Sequence, residues 1–292
     1  MIYRRDIVLG LMLLVVVTGI IMIALLSLVS VNMDGISVSG ESVALIEIVG
    51  TIYDPMPAVQ KLERYMSNDD IPAIVIRLNT PGGGISATQE IHQTIIKARL
   101  VGKKVIASMG SVAESGGYYI AAACDSVVAT PGTITGSIGV IANFTEMSEL
   151  FDKLGITFNV RKSGTFKDTG SIARKMTKEE EALIDSVIMD SYDQFVEAVS
   201  EGRSLDPDFV RQYADGRVFT GRQAKELGFV DILGTYQDAI DLAGDMTGLG
   251  INPPVVREQR GLFWDVLVDG FSRVIAGGIA QGIPRFGYIW LN

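Results

Sequence analysis

A serine followed by two glycines, Ser115-Gly116-Gly117, is a group of residues in this sequence that could carry chemistry. It ends a small-residue loop, and a segment that reads as a helix follows over residues 118–123. A hydroxyl at such a turn stands at a helix N-terminus, whose free backbone N–H groups point at whatever the hydroxyl attacks. The loop could therefore supply a nucleophile and an oxyanion donor together. The structural alternative is a glycine-rich tight turn before a core helix.

The base that would activate this serine is not expected to be a histidine. The chain has one histidine, His92, beside the apolar stripe of a predicted helix over residues 86–98, where a surface or structural role is typical. A lysine can replace it when its amine is neutral. Lowering the pKa of a lysine by about 3 units from its reference value of about 10.4 costs about 4 kcal/mol, which requires a dry pocket. Hydroxyls in residues 135–137 could orient such an amine.

A polar, turn-like segment over residues 162–170 offers candidates for this base. Arg161, Lys162 and Lys167 lie in or beside it. A lysine in such a loop is ordinarily a solvated surface residue, but small and hydroxyl-bearing neighbours surround Lys167, unlike an ordinary charged face. Ser-Lys pairs are an accepted variant of hydrolytic catalysis. The spacing alone does not bring Lys167 to Ser115.

Composition excludes several other kinds of site. The chain of 292 residues has a net charge of −9, which argues against nucleic-acid binding. With one histidine and one cysteine, Cys124, it lacks the usual ligands of a zinc site and cannot form an intrachain disulfide. Composition leaves carboxylate-only sites for magnesium or calcium open, although no loop has their ligand spacing. We therefore expect no cofactor, and Cys124 is predicted to be buried.

The N-terminus carries a long apolar segment. Residues 7–31 contain no charged side chain, and 25 residues of helix are about 37 Å long, enough to cross a hydrocarbon core of about 30 Å. The segment is longer than the core of a cleavable signal peptide, and no Ala-x-Ala motif follows. Arg4 and Arg5 precede it and acidic residues follow. We predict a single-pass anchor with a cytoplasmic N-terminus and an extracytoplasmic catalytic domain; a cleaved signal is the alternative.

The remainder of the chain has the pattern of an α/β domain. Nearly continuous apolar runs predict strands that alternate with helices, which favours a mostly parallel core sheet. The predicted strands are residues 43–49, 73–78, 104–108, 126–130 and 158–161; the predicted helices are residues 55–67, 86–98, 146–154, 177–201, 220–228 and 235–246. Two glycine-rich loops, residues 79–84 and 130–140, interrupt the pattern. The first follows a strand, at the edge where open α/β sheets place ligands.

Several of these segments together resemble the signal peptide peptidase A (SppA) family of membrane-anchored serine proteases. The resemblance spans residues 43–245, and the 52-residue separation of Ser115 and Lys167 fits the short, single-domain form. The matching segments are Asn79-Thr-Pro-Gly-Gly-Gly84, Gly110-Ser-Val-Ala-Glu-Ser-Gly-Gly-Tyr-Tyr119, Thr135-Gly-Ser-Ile-Gly-Val140, Ser163-Gly-Thr-Phe-Lys-Asp168 and Gly216-Arg-Val-Phe-Thr-Gly-Arg-Gln-Ala-Lys-Glu-Leu-Gly-Phe-Val-Asp231. The fold that this resemblance implies is the Clp protease/crotonase fold.

The resemblance also implies roles for single residues. By position, Ser115 resembles the nucleophile, Lys167 the general base and Ser137 the hydroxyl that orients the lysine. The backbone N–H groups of Gly82 and Gly116 resemble the oxyanion hole. The implied activity is hydrolysis of remnant signal peptides and other apolar, unfolded peptides. Family members form ring- or dome-shaped homo-oligomers, which implies a site completed between subunits.

One position departs from the family pattern: Glu114 stands beside the serine, where the family more often has alanine. A carboxylate there could alter substrate preference or favour a charged lysine, but it leaves the dyad in place.

The sequence thus divides into residues 1–31 with the anchor, a linker over 32–42, the protease domain over 43–250 and an amphipathic tail over 251–292. Three other functions stay open as alternatives. A related membrane protease that cleaves stomatin-like partners usually has a shorter serine-to-lysine separation. A catalytically silent oligomeric scaffold would not need both residues, and a thioester-directed crotonase would need neither the anchor nor Lys167.

Overall fold

The computed structural model describes residues 40–257 and five positions near the N-terminus, where the backbone is helical: Leu14, Val17, Thr18, Gly19 and Met22. Most of the predicted anchor, linker and tail therefore lies outside the described residues. Within the described part, no helix is both long and apolar enough to span a membrane. Residues 40–256 form one compact unit.

Strands and helices alternate through the first half of this unit, as the sequence pattern predicts. The strands are β1 (Val43–Val49), β2 (Ala73–Thr80), β3 (Lys104–Glu114), β4 (Ser126–Ala129), β5 (Ile134–Gly136), β6 (Val218–Thr220), β7 (Ile232–Leu233) and β8 (Val255–Arg257). The helices are α1 (Met56–Met66), α2 (Ile85–Leu100), α3 (Gly116–Ala122), α4 (Ser148–Lys153), α5 (Lys178–Arg203), α6 (Pro207–Tyr213), α7 (Gly221–Glu226) and α8 (Tyr236–Thr247), with a 3-10 turn over Thr165–Asp168.

The sheet is mostly parallel. Along the path β6-β5-β3-β2-β1-β8, strands β1, β2, β3 and β5 pair in parallel, and β6 pairs antiparallel to β5. Strand β4 lies off this path, parallel to both β3 and β7. The prediction of an α/β domain with a mostly parallel sheet is therefore confirmed.

Both faces of the central strands are covered, which explains their continuous apolar sequences. Because successive side chains of a strand point to opposite faces, Ile74 and Ile76 of β2 pack into one core cluster, while Ala73 and Val75 pack into another. The second cluster includes residues of α8. All four β2 side chains are fully buried, as expected for a strand with helices on both sides.

Strand β3 runs further than the sequence predicted and divides between two partners. Its first part pairs with β4, and residues 112–114 pair with β5. The Thr135 hydroxyl supports this second pairing by donating to the Ala113 carbonyl at 2.7 Å. Residues 109–114, expected as a loop, are therefore strand, and they deliver Ser115 directly to the start of α3.

Two further differences concern short segments. The predicted strand over residues 158–161 is wrong: these residues are exposed and no strand pairs with them. Helix α6 was not predicted. The short strands β5 and β6 were not predicted either, because three-residue strands are too short for periodicity to show. The capping box of Thr177 and Glu180 does begin α5, and Cys124 is buried, as predicted.

Candidate active site

Ser115 adopts a strained backbone conformation at the junction of β3 and α3. Its φ of 50° and ψ of −118° lie in a region that residues other than glycine rarely occupy, at a cost of about 1–3 kcal/mol. Two hydrogen bonds hold it: its N–H donates to the Gly136 carbonyl at 2.8 Å, and its own carbonyl accepts from the Tyr119 N–H at 2.9 Å. The half-buried side chain thus stands at the N-terminus of α3.

The loop after β2 comes into direct contact with this turn. A methyl group built on Gly82 would lie 2.8 Å from the Gly116 nitrogen and 2.9 Å from Ser115 Cβ, and the φ of Gly82 is +98°. Ile52 holds the loop from the other side, because its N–H donates to the Gly82 carbonyl and its carbonyl accepts from the Gly84 N–H. Only glycine fits at position 82, for reasons of both space and backbone angle.

Two backbone segments place N–H groups near Ser115: the first turn of α3 and the glycine loop after β2. The Gly116 N–H lies in the first turn of α3 and has no partner within that helix. The Gly82 N–H already donates to Thr80 Oγ1 at 3.0 Å, and Gly82 is buried. The exposed Gly83 lines the cleft beside Ser115, and its N–H has no acceptor among the described residues. The Gly82 assignment stays a prediction, and Gly83 is a second donor that the sequence did not single out.

A cleft opens over Ser115 and is lined by both polar groups and apolar side chains. Tyr119 is one of the apolar lining residues, and it packs against Phe195 of α5 with ring centroids 4.9 Å apart. The residues that line the cleft are Gly83, Ile85, Thr88, Ser115, Gly116, Tyr119, Gly139, Val140, Ser191 and Phe195. The arrangement presents a hydroxyl and free N–H groups beside an apolar surface.

Ser137 is held near Ser115 through its neighbour Gly136. It follows Gly136, whose carbonyl accepts from the Ser115 N–H, and its own N–H donates to the Arg217 carbonyl at 2.8 Å. Its φ of 50° is also in the left-handed region. Among the described residues its hydroxyl makes no hydrogen bond. The structure therefore brings Gly82, Gly116 and the Ser137 segment to Ser115.

No hydrogen bond or ion pair joins Lys167 to this group among the described residues. It lies in the exposed 3-10 turn, and no hydrogen bond or ion pair of its amine is found within residues 40–257. It does not line the cleft over Ser115. The dyad of Ser115 and Lys167 consequently stays a prediction.

An ion-pair network that the sequence did not reveal anchors the turn carrying Lys167. Arg174 bridges Asp168, at 2.7 Å, and Glu180, at 2.5 Å, while Lys162 pairs with Asp168 at 2.6 Å. Glu180 is buried, and it also completes the capping box at the start of α5. Hydrogen bonds from Arg174 and then Lys162 hold the pKa of Asp168 well below its usual range. The Arg174 guanidinium likewise lowers the pKa of Glu180 to about 2.

His92 is a buried residue beneath the cleft. Its ring meets Tyr119 edge-to-face at 4.8 Å between centroids. Burial, with a smaller contribution from the Arg99 charge, lowers the pKa of His92 to about 4, so the ring is neutral at pH 7. It does not line the cleft, which agrees with the structural role expected from the sequence.

The remaining candidates for a reactive group are the Cys124 thiol and a metal site. Burial is the main cause that raises the pKa of the Cys124 thiol to about 12, which makes it a poor nucleophile. In the part of the chain that the structure describes, no group of three or more His, Cys, Asp or Glu side chains could hold a metal ion.

Comparison with known proteins defines the class as peptidase. Residues 97–249 match the sequence profile of peptidase family S49. A Synechocystis protein named as a candidate protease is 43% identical, over 72% of this chain and 76% of its own length. The chain belongs to peptidase family S49.

Two further relatives carry names of the same kind. A protein of Enterococcus faecium named as a candidate signal peptide peptidase SppA is 38% identical, over 65% of this chain and 55% of its own length. A protein of Methanocaldococcus jannaschii named as a candidate protease is 30% identical, over 98% of this chain and 96% of its own length. The chain therefore spans about half of the second relative and nearly all of the third.

Proposed function

We propose that this peptidase is a serine endopeptidase in which Ser115 is the nucleophile and Lys167 the general base. The single observation that carries the proposal is the backbone of Ser115. A serine with a φ of 50° is held at a strand-to-helix turn, beside free N–H groups and a cleft. Strain of this kind persists where surrounding structure enforces it, and it is common at active sites.

The chemistry would be acyl transfer to the serine. Neutral Lys167 removes the proton of Ser115 as Oγ attacks a peptide carbonyl, and Ser137 orients the amine. The oxyanion is stabilised by the Gly116 N–H and by an N–H of the glycine loop, at Gly82 or Gly83. The lysine then protonates the leaving amine, and water releases the acyl group by the reverse steps.

The exposed position of Lys167 supports a site completed by a second copy of the chain. Residues 141–172 carry many large apolar side chains exposed to solvent, and α4 buries none of its residues. A six-residue helix is not stable on its own, so this segment requires another surface. The exposed apolar residues are Ile141, Phe144, Met147, Leu150, Leu154, Ile156, Phe158, Val160, Phe166 and Ile172. Their segment connects the cleft to Lys167, and homo-oligomers would bury them.

The substrates we propose are remnant signal peptides and other apolar, unfolded peptides at a membrane. Ile85, Tyr119, Val140 and Phe195 give the cleft an apolar side suited to such peptides. The uncharged residues 7–31 support a single-pass anchor in the cell membrane, with the catalytic domain extracytoplasmic. The name of the Enterococcus faecium relative supports the same substrate class.

Hydrolysis of an apolar peptide ester by single variants tests the proposal. Ser115→Ala and Lys167→Ala should each abolish turnover and leave the oligomer intact, while His92→Gln should retain turnover. Turnover near the wild-type rate in either of the first two would exclude the dyad. A stomatin-directed protease would need both residues but prefer a stomatin-derived peptide, and a scaffold would show no turnover in the wild type.

A further inference from the structure

The hydroxyl of Thr88 is buried at the cleft without a hydrogen-bond partner. Thr88 is 2% exposed, and its Oγ1 has neither donor nor acceptor among the residues that the structure describes. It lies near the start of α2 and lines the cleft with Ser115 and Gly116. A buried polar atom left without a partner is destabilising, and such atoms are uncommon in folded proteins.

A second threonine on the same helix shows how a helical threonine ordinarily pairs its hydroxyl. Thr94 turns its Oγ1 back to the Glu90 carbonyl, four residues earlier, at 2.8 Å. Helical threonines commonly make this bond. Thr88 does not make the corresponding bond to Gly84, so its hydroxyl stays available for another partner.

The position of Thr88 Oγ1 indicates what that partner is. A methyl group built on Gly116 would lie 2.6 Å from Thr88 Oγ1 and 3.3 Å from the Gly83 nitrogen. The hydroxyl and the free Gly83 N–H therefore converge on the same side of Gly116, the residue after the proposed nucleophile. A substrate oxygen in the adjoining cleft would lie near polar groups of three separate elements, α2, the glycine loop and α3.

We propose that the Thr88 hydroxyl is a third oxyanion donor, beside the Gly116 N–H and an N–H of the glycine loop. This inference rests on the proposed function, because it assumes attack by Ser115. When Ser115 Oγ bonds to the carbonyl carbon, the electron pair of the C=O bond moves to the oxygen. The Thr88 O–H donates to that charged oxygen without transferring its proton. A hydrogen bond to an ionised acceptor is stronger than one to a neutral carbonyl, so the contact favours the transition state.

Thr88→Val tests this role, since valine keeps the shape and removes the hydroxyl. We expect kcat for an apolar peptide ester to fall by about 10²–10³, with KM nearly unchanged. The same variant should melt about 2–4 °C higher, because the unpaired buried hydroxyl is gone. Thr88→Ser should keep kcat within about fivefold of wild type, and Thr88→Ala should lose it as valine does. If Thr88→Val does not fold, the comparison of Thr88→Ser with Thr88→Ala tests the role of the hydroxyl instead.

Thr94→Val is the matched control, because the Thr94 hydroxyl already has a partner and Thr94 does not line the cleft. It should leave kcat unchanged and should not raise the melting temperature. A Thr88→Val protein with wild-type kcat would overturn the inference. So would an equal loss of kcat in the Ser and Ala variants. If Ser115→Ala retained turnover, the proposed function itself would fail, whatever Thr88 does.

Discussion

The Ser115 N–H donates a hydrogen bond of 2.8 Å to the Gly136 carbonyl, which joins the strained serine that follows β3 to strand β5. Residues 114 and 136 are paired in the sheet, and Ser137 follows immediately. The proposed nucleophile and the proposed lysine-orienting hydroxyl are therefore positioned by the same pair of strands. The pairing of β3 with β5 thus sets the relative positions of Ser115 and Ser137.

The backbone strain at Ser115 predicts that this serine is required for activity but lowers the stability of the fold. Ser115→Gly removes a strain of about 1–3 kcal/mol, and the greater freedom of glycine in the unfolded chain cancels about 0.4–1 kcal/mol of that gain. We expect its melting temperature to exceed that of Ser115→Ala by about 2–4 °C, with no hydrolysis in either. Calorimetry of the two variants makes the comparison. A glycine variant less stable than the alanine variant would show that the serine is not strained.

The buried ring of His92 predicts a loss of stability in mild acid. Its pKa is about 4 in the folded chain, against 6.5 for the ordinary side chain, so between these values the unfolded state binds more protons. The stability it contributes is complete above pH 6.5 and falls by about 3 kcal/mol as the pH decreases to 4. Urea unfolding between pH 7 and 5.5 measures the slope, above most of the range in which carboxylates titrate.

The control for this prediction is His92→Gln, which cannot gain a proton. Its stability should change little over the same interval, although it is lower at pH 7 because packing against Tyr119 changes. An equal slope in the two proteins would show that another group causes the acid sensitivity. Retained hydrolysis in the same variant would exclude histidine as the base.

The bridge from Asp168 through Arg174 to Glu180 predicts that Arg174→Ala impairs catalysis through Lys167. Removing the guanidinium leaves the buried Glu180 without its cation and frees the 3-10 turn. We expect kcat to fall at least tenfold with KM nearly unchanged, and the melting temperature to decrease. In Lys167→Ala, whose turnover is already abolished, adding Arg174→Ala should not lower the residual rate of fluorophosphonate labelling any further.

Arg211 provides a matched control, because it forms an exposed ion pair of 2.6 Å with Asp193 on helices α5 and α6. Exposed pairs contribute little to stability, so Arg211→Ala should leave both kcat and melting temperature near the wild-type values. Equal effects of the two arginine substitutions would indicate a general loss of charge rather than the positioning of Lys167.

The exposed apolar segment predicts that a charge at Leu154 prevents assembly. Leu154 is 63% exposed in the single chain, and Leu154→Glu would place a carboxylate in the proposed subunit contact. Sedimentation of the purified full chain should show dissociation, with loss of hydrolysis. Leu100 is 81% exposed at the end of α2, outside this segment, and Leu100→Glu should stay assembled and active. Equal sedimentation of the two variants would exclude this surface as the contact.

Mixing two inactive proteins tests whether Ser115 and Lys167 come from different copies. Ser115→Ala and Lys167→Ala chains that exchange subunits should regain about a quarter of the wild-type turnover, since some contacts then combine an intact serine with an intact lysine. No recovery after exchange, verified by labelled subunits, would place both residues of the dyad within one copy.

Local signals in the sequence predicted much of the fold. Continuous apolar runs gave β1 and β2, because strands covered on both faces need apolar residues at every position. The capping box of Thr177 and Glu180 gave the start of α5, because both partners lie within one turn. Ser115 could be placed at a helix N-terminus for the same reason, since the residues that define the turn are adjacent.

Features that depend on distant contacts could not be predicted in this way. Residues 158–161 were predicted as a strand, but a strand forms only where a neighbour pairs with it. The free hydroxyl of Thr88 depends on the approach of Gly116 from another element, and no spacing shows that a threonine lacks its usual bond. The bridge made by Arg174 requires the 3-10 turn to meet the start of α5.

The most direct test of the Ser115 and Lys167 dyad is the rate at which a fluorophosphonate probe labels the wild-type protein across pH 6–10, with the site identified by mass spectrometry. We expect a single label on Ser115, at a rate that rises with pH as a lysine loses its proton, and a rate at least 100-fold lower in Lys167→Ala. A label on another residue, or equal rates in the two proteins, would contradict it.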